Sequence, residues 1–166
     1  MTNALPPGLK RSAAMVILRH ARSFLLLRRN KPPHQNKYVP VGGKVEPYED
    51  PHTAARRELQ EETGLQTGQL RYCGGLIETS PTPYNWQCTI YLSDIDDMLP
   101  PYCGEGTLEW IPFDQIDQVP IPPTDAQIYQ YVMQGRPFAL NAIYNAHMQL
   151  VKMTEEISGE VVISSK

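Results

Sequence analysis

The segment 43–65 constrains this chain more than any other, because it predicts a loop, one short helix and a helix stop. It reads GKVEPYEDPHTAARRELQEETGL. Asp50 is a favoured N-cap residue, and Pro51 suits the first helical position. Gly64 favours the left-handed conformation that ends helices. The segment therefore predicts a helix over Pro51–Thr63.

The predicted helix carries an acidic cluster. At 100° per residue, Glu58, Glu61 and Glu62 fall within one arc, since their spacing is i, i+3, i+4. Clustered carboxylates repel one another unless a cation neutralises them, and hard oxygen ligands suit Mg²⁺ or Mn²⁺. The alternative is a solvated acidic face. The adjoining Gly42–Gly43 loop favours the metal, because a backbone without Cβ can approach a ligand closely.

This stretch resembles the Nudix box: Gly, five residues, Glu, seven residues, Arg-Glu, an aliphatic residue, any residue, Glu-Glu, any residue, Gly, an aliphatic residue. Every fixed position is met, by Gly43, Glu49, Arg57, Glu58, Leu59, Glu61, Glu62, Gly64 and Leu65. The resemblance implies a Nudix-type α/β/α sandwich, of the α/β (α+β) class, with a mixed central sheet. It also implies metal-dependent hydrolysis of a nucleoside diphosphate linked to another group.

The length and the patterning of the chain favour a single domain. We expect a flexible leader over 1–10, one domain over 11–157 and a tail over 158–166 of the 166 residues. Apolar runs at 12–18 and 24–27 predict a hairpin. Further strands are expected at 70–79 and 86–92, and a second outer helix at 126–134. Alternation from Phe138 and a run at 148–153 predict an extra C-terminal hairpin, which could pack on the sheet edge or serve a homodimer.

Charge and cysteine content limit the partners. The formal net charge is −3, and no long basic run occurs, so duplex nucleic acid is not an expected partner. The three cysteines are widely spaced and fit a reducing compartment. There is no secretory signal and no apolar run long enough for a membrane span. We therefore expect a cytoplasmic protein that does not bind a membrane.

The resemblance implies roles for the box residues. Glu58, Glu62 and the Gly42 carbonyl are expected to contact Mg²⁺ or Mn²⁺, with Glu61 as a further ligand or the general base. Arg57 is expected to orient a box carboxylate. Downstream, E-G-x-x-E-W-x-P at 105–112 is similar to the corresponding region of MutT-like members. There Glu105 is the candidate base or third-metal ligand, and Glu109 is the second choice.

Substrate contacts are expected from residues around the box. Arg28, Arg29, Lys37 and Lys44 flank the site and could bind phosphate or form ordinary solvated surface. Tyr84 and Trp86 could stack on a nucleobase or simply pack. For Asp125, reading a purine edge competes with a capping role at the start of the second helix.

The most favoured substrate is a nucleoside triphosphate. Oxidised purine triphosphates such as 8-oxo-dGTP, cleaved to the monophosphate and pyrophosphate, are the guess within that class. An ADP-ribose or dinucleotide pyrophosphatase is the alternative, since many such members carry a proline near the position of Pro81. A nucleotide-binding sensor that does not hydrolyse its ligand is a third reading, although this chain keeps all the box glutamates.

Overall fold

The computed structural model describes residues 4–165, which fold around one mixed β-sheet. In chain order the elements are β1 (Arg11–His20), β2 (Ser23–Arg29), β3 (Tyr38–Val39), β4 (Val41–Lys44), α1 (Pro51–Thr63), β5 (Arg71–Thr79), β6 (Trp86–Asp94), β7 (Gly106–Pro112), a 3₁₀ helix (Phe113–Gln118), α2 (Pro123–Met133), β8 (Phe138–Tyr144), β9 (Leu150–Glu155) and β10 (Glu160–Ser164).

The strand order explains how distant segments meet. It runs β10-β9-β8-β5-β6-β1-β2-β3, with β4 paired to β1 and β7 paired to β2. β1 lies parallel to β6 and β5 lies parallel to β8, whereas the other pairs are antiparallel. The expected mixed sheet is therefore confirmed, and its centre combines strands from both halves of the chain.

Each face of the sheet is covered by one helix, which confirms the α/β/α sandwich. Side chains alternate between the faces of a strand, and β1 is buried on both faces. One face of β1 packs with the α1 side chains; that cluster includes Ala14, Val16, Leu18, Ala54, Ala55 and Leu59. The other face packs with α2; that cluster includes Ala13, Ile17, Ile90, Ile128, Tyr129 and Val132. Burying two apolar faces provides the main free energy of folding.

The bounds and caps predicted for α1 are confirmed. The helix spans Pro51–Thr63, and the Asp50 side chain accepts a hydrogen bond from the Thr53 N–H at 2.9 Å. Gly64 closes the helix in the left-handed conformation, with φ 72°. Local capping chemistry alone therefore places the acidic helix.

The C-terminal hairpin is present, but the predicted tail is wrong for most of its length. β8 and β9 form the hairpin, while residues 160–164 form β10, which pairs antiparallel with β9. The turn into β10 is organised by the Glu155 carboxylate, which accepts hydrogen bonds from the Ile157 and Ser158 N–H groups. The strand was missed because its apolar residues are consecutive and show no alternation.

The start of the described chain has no regular secondary structure before β1. Residues 1–3 of the predicted leader lie outside the described residues, and 4–10 contain only a turn. Lys10 is nevertheless tied to the domain, because its Nζ donates to the Glu78 carbonyl at 3.1 Å. Within residues 4–165, neither helix is both long enough and apolar enough to cross a membrane.

Candidate active site

One cavity of about 410 Å³ brings most of the predicted site residues together. Its lining includes side chains from β1, β4, α1, β5, β6 and α2, together with the loops before β4 and β7. Nine predicted residues line it: Arg29, Gly42, Lys44, Glu58, Glu62, Tyr84, Trp86, Glu105 and Asp125. Five predicted residues lie outside the lining: Arg28, Lys37, Arg57, Glu61 and Glu109.

Two glycines of β4 allow α1 to lie against the sheet at this cavity. Gly42 and Gly43 pair with Met15 and Ala14 of β1. A Cβ at Gly42 would collide with the Ala14 carbonyl oxygen, and a Cβ at Gly43 would lie 2.5 Å from the Glu58 carboxyl carbon. The missing Cβ of Gly43 therefore makes room for the Glu58 carboxylate beside the strand, and that of Gly42 lets β4 lie close to the backbone of β1.

Two of the carboxylates on α1, those of Glu58 and Glu62, are partly buried and line the cavity. Glu62 Oε2 accepts a hydrogen bond from the Gly42 N–H at 3.1 Å. Burial raises the pKa of Glu62 to about 7; the Gly42 N–H opposes the rise, and the nearby charges of Glu105 and Glu58 add to it. The cavity thus carries more negative charge than its own side chains neutralise.

Arg57 does not line the cavity, but it contacts carboxylates on and next to α1. Its guanidinium contacts Glu49, Glu58 and Glu61, with nearest N–O distances of 2.8, 2.8 and 3.3 Å. This arrangement agrees with the predicted orienting role. Glu61 differs from its neighbours on the helix, since its side chain is 59% exposed. Its predicted role as ligand or base remains a prediction.

The carboxylate oxygens around the cavity are suitable ligands for a hard divalent cation, although they do not converge on one point in the structure. Glu58, Glu62 and Glu105 line the same cavity. No three Asp, Glu, His or Cys side chains among residues 4–165 converge closely enough to form a ready-made metal site. A carboxylate such as that of Glu62, whose pKa is raised by burial and by like charges, is nevertheless a group that a cation would stabilise.

Basic side chains lie at the same end of the cavity as these carboxylates. Arg29 and Lys44 are both in the lining, and Arg29 Nη1 lies 3.4 Å from Glu105 Oε2. Arg28 lies elsewhere, since its Nε approaches Glu109 Oε2 at 3.5 Å. The cavity lining therefore supports a phosphate contact for Arg29 and Lys44 and gives no support to Arg28.

Aromatic and acidic side chains form another part of the wall. Glu78 of β5 is paired with Trp86 of β6 in the sheet register. The Tyr84 hydroxyl donates to Glu78 Oε2 at 3.0 Å, and the Arg11 guanidinium lies 4.1 Å from the centre of the Trp86 ring. One face of Trp86 is thus covered by a cation. Both aromatic residues line the cavity, and base stacking by them remains a prediction.

Asp125 lines the cavity, and the capping interpretation is wrong. α2 begins at Pro123, its N-cap is Pro122, and no side chain caps it. Asp125 therefore falls inside the first turn, where it is only 5% exposed. Burial raises its pKa to about 8, and the charge of Glu78 adds to the rise. The Pro-Pro pair starts the helix earlier than expected and turns this carboxyl inward.

Glu78, which is part of the wall, and Tyr144, which supports it from outside the lining, were missed from the sequence. Glu78 is 4% exposed and lines the cavity, and the Tyr144 hydroxyl donates to Glu78 Oε1 at 2.7 Å. A signal for Glu78 was present, because it lies two residues after Leu76 on the buried face of a predicted strand. The contribution of Tyr144 could not be found, since it depends on the parallel pairing of β8 with β5.

The fold and the cavity fit a class of proteins that bind phosphate groups between a carboxylate-bearing helix and basic side chains. Comparison with known proteins agrees. The NUDIX domain family matches residues 8–132. The chain therefore belongs to the Nudix family.

Two solved structures share the fold of this chain. The MutT protein of Bacillus halodurans superposes with a TM-score of 0.77 at 21% identity, over 89% of this chain and 98% of that one. The NUDIX domain of Shewanella oneidensis NrtR, solved with ADP ribose, superposes with a TM-score of 0.66 at 15% identity, over 80% and 94%. At these identities the likeness shows the fold alone.

A human protein gives a closer sequence match over a shorter length. Diphosphoinositol polyphosphate phosphohydrolase 3-alpha is 30% identical over 94 residues, which is 57% of this chain and 56% of that protein. The match thus spans little more than half of that relative. The family assignment therefore rests on the NUDIX domain match over residues 8–132.

Proposed function

We propose that this chain is a Mg²⁺- or Mn²⁺-dependent hydrolase that cleaves the diphosphate linkage of a nucleoside triphosphate. An oxidised purine triphosphate such as 8-oxo-dGTP is the substrate that we favour, with the monophosphate and pyrophosphate as products. One observation supports this most: a single cavity holds box carboxylates and cationic side chains together with Trp86 and the buried acids Glu78 and Asp125. Such a cavity can accept a phosphate chain and a base at once.

The cation would be held by Glu58, Glu62 and the Gly42 carbonyl. When bound, it supplies charge neutralisation on the phosphates and lowers the pKa of a bound water. Glu62 is suited to this role, because its partly buried carboxylate forms no ion pair within residues 4–165, whereas Glu58 is paired with Arg57.

The remaining roles belong to the side chains around that centre. Glu105 is our candidate for accepting the proton of the attacking water, with Glu61 as the second candidate. Arg29 and Lys44 would bind phosphate oxygens. Arg57 would act indirectly, by holding Glu49 and Glu58 in place.

A second candidate function is cleavage of ADP-ribose or a dinucleotide. It is favoured by the fold similarity to the NrtR domain that was solved with ADP ribose. The same similarity keeps open a third function, in which the domain binds a nucleotide without hydrolysing it.

The test is a hydrolysis panel with saturating Mg²⁺: dNTPs, 8-oxo-dGTP, ADP-ribose, NADH and diadenosine polyphosphates. Product formation would be measured by chromatography for the wild type and for Glu62→Gln, because only the triphosphates release pyrophosphate, whereas ADP-ribose, NADH and the diadenosine polyphosphates are each split into two phosphorylated products. Glu156→Gln, which alters an exposed carboxylate near the C-terminus, is the matched control. We expect turnover of 8-oxo-dGTP that the Glu62 variant loses by orders of magnitude and that the control keeps.

Other outcomes select among the alternatives. Preferred turnover of ADP-ribose or a dinucleotide would replace the triphosphate proposal. If every compound resists cleavage and one binds tightly by calorimetry, the non-hydrolytic function is correct. Equal activity of wild type and Glu62→Gln would overturn the metal assignment.

We also propose that the protein is cytoplasmic, in keeping with its three free cysteines. A homodimer built through the C-terminal strands is a further proposal, which sedimentation velocity would test.

A further inference from the structure

The Glu78 side chain is held by two tyrosines from different parts of the chain. Tyr84, in the loop before β6, donates to Oε2 at 3.0 Å, and Tyr144, at the end of β8, donates to Oε1 at 2.7 Å. Tyr144 lies outside the segment that matches the NUDIX domain family, which ends at residue 132. The C-terminal strands therefore supply part of this cavity's support.

The backbone around Glu78 is fixed as well. Lys10 Nζ donates to the Glu78 carbonyl at 3.1 Å and to Asn85 Oδ1 at 3.0 Å. Asn85 in turn accepts the Ser80 N–H at 3.1 Å. These hydrogen bonds join the end of β5 to the loop that carries Tyr84, so the Glu78 carboxylate is oriented before any ligand binds.

The carboxylate still has hydrogen-bonding capacity toward the cavity. Each carboxylate oxygen can accept more than one hydrogen bond, and each Glu78 oxygen receives one tyrosine hydroxyl. Asp125 lines the same cavity, is nearly fully buried, and makes no side-chain hydrogen bond to another group within residues 4–165. The wall therefore offers one oriented acceptor, the Glu78 carboxylate, and a further polar group, Asp125, in the cavity that Trp86 also lines.

We infer that Glu78, oriented by Tyr144 and Tyr84, reads the base of the substrate and selects a base that presents two adjacent N–H donors, as guanine does. Asp125 contributes a second polar contact on the same edge. The inference rests on the proposed nucleotide specificity of this cavity and assigns a purpose to the C-terminal strands. Tyr144 is a positioning residue, because it acts on the base only through Glu78.

The choice of base follows from which atoms a carboxylate can bind. An ionised carboxylate only accepts hydrogen bonds. The pairing edge of guanine carries a ring N–H next to an amino group, which gives two donors side by side. Adenine and cytosine have an unprotonated ring nitrogen at this position, and hypoxanthine lacks the amino group. A buried acceptor left without a donor costs free energy, so the other bases are rejected.

The test compares GMP, IMP and AMP. These nucleotides differ at the pairing edge of the base, and they lack the diphosphate linkage that the hydrolase would cleave. Binding would be measured by calorimetry with the whole chain. We expect the wild type to prefer GMP over IMP about tenfold. Glu78→Gln keeps the size of the side chain but replaces one acceptor oxygen by a donor, so the ratio should fall below about twofold.

A second pair of variants tests the tyrosine. Tyr144→Phe should reduce the GMP/IMP ratio to an intermediate value, about threefold, because Glu78 keeps only Tyr84 as a donor. Tyr72→Phe, a hydroxyl deletion at an exposed tyrosine of β5, is the matched control and should keep the wild-type ratio. Glu160→Gln, at an exposed position of β10, controls for Glu78→Gln.

The outcomes separate this inference from the proposed hydrolysis. An unchanged GMP/IMP ratio in a folded Glu78→Gln protein, or a wild type that binds the three nucleotides alike, would overturn it. If Glu78→Gln does not fold, Tyr144→Phe and Tyr84→Phe decide, and wild-type ratios in both would overturn it. Because no monophosphate is cleaved, failure of the hydrolysis panel would leave a measured base preference intact.

Discussion

The Arg57 guanidinium holds the Glu49 carboxylate at both oxygens, with Nε 2.8 Å from Oε2 and Nη2 2.9 Å from Oε1. The same group donates to the Lys44 carbonyl at 3.0 Å and to Glu58 Oε1 at 2.8 Å. Hydrogen bonds from Glu49 and Glu58 raise the pKa of Arg57 above its usual range. One side chain therefore joins β4, the loop after it and a cavity carboxylate.

Arg57→Lys should lower kcat/KM by about 10- to 100-fold, because an ammonium cannot reproduce the paired donors of a guanidinium. Steady-state kinetics with saturating Mg²⁺ measures the loss, and circular dichroism checks the fold. Arg56→Lys changes the neighbouring arginine, which binds the Thr67 and Gly68 carbonyls instead, and should keep near-wild-type activity. Equal kinetics of the two variants would refute the orienting role of Arg57.

Gly43→Ala should impair cation binding without unfolding the protein. The new Cβ would lie 2.5 Å from the Glu58 carboxyl carbon, which is the mobile end of a side chain, so Glu58 would swing away. We expect affinity for Mn²⁺, measured by titration calorimetry, to fall about tenfold. Gly68→Ala, where a Cβ meets nothing within 4 Å, is the control. An unchanged Mn²⁺ affinity would show that Glu58 is not a ligand.

Trp86→Leu should weaken nucleotide binding, because loss of a base–aromatic stack costs about 1–3 kcal/mol. A KM increase of at least about fivefold with a smaller change in kcat is the expected signature. Trp110→Phe is the control, since Trp110 donates to the Met98 carbonyl and does not line the cavity. If both substitutions change KM equally, Trp86 does not stack on the base.

Glu155→Gln should destabilise the C-terminal strands. The Glu155 carboxylate accepts the Ala139, Ile157 and Ser158 N–H groups at 3.0, 2.9 and 2.8 Å. An amide can reproduce these bonds only in part, so we expect a loss of about 1–3 kcal/mol in the free energy of unfolding. Urea denaturation at pH 7 measures the change, and Glu156→Gln serves as the control. Equal unfolding midpoints would contradict this assignment.

The same carboxylate predicts an acid dependence of stability. Burial alone would raise its pKa, but the backbone donors outweigh burial and lower the pKa to about 2. Because the folded pKa is depressed, the stabilisation is complete above the unfolded value of 4.5 and is lost as the pH falls toward 2. The difference in the free energy of unfolding between wild type and Glu155→Gln should therefore shrink as the pH falls from about 5 to about 2. A constant difference would show that ionisation of Glu155 is not involved.

Features with a local cause could be predicted from the sequence. Asp50, Pro51 and Gly64 specify α1 through contacts within one helical turn, and the structure confirms both of its ends. The apolar runs that became β1 and β2 are similar cases, because a tight turn joins them. The carboxylates of α1 then follow from helical spacing, although only Glu58 and Glu62 line the cavity.

Features that depend on distant pairing could not be predicted. The cap assigned to Asp125 was a local mistake of a different kind, because the second helix was predicted to begin at Ala126, whereas it begins at Pro123. Glu78 meets Tyr144 only because β5 and β8 lie side by side, across 66 positions of the chain. No local pattern records a parallel pair of that separation.

The position of β8 inside the sheet has a consequence for where this protein can be shortened. Residues 8–132 carry the family match, yet β5 relies on β8 for one of its two hydrogen-bonded edges. A fragment that stops at residue 132 would leave this edge of β5 without a partner strand. Leu76 and Ile90 would also lose the Phe138 and Leu140 side chains from their part of the core. Open strand edges of this kind recruit other chains, so the segment defined by resemblance is smaller than the unit that folds.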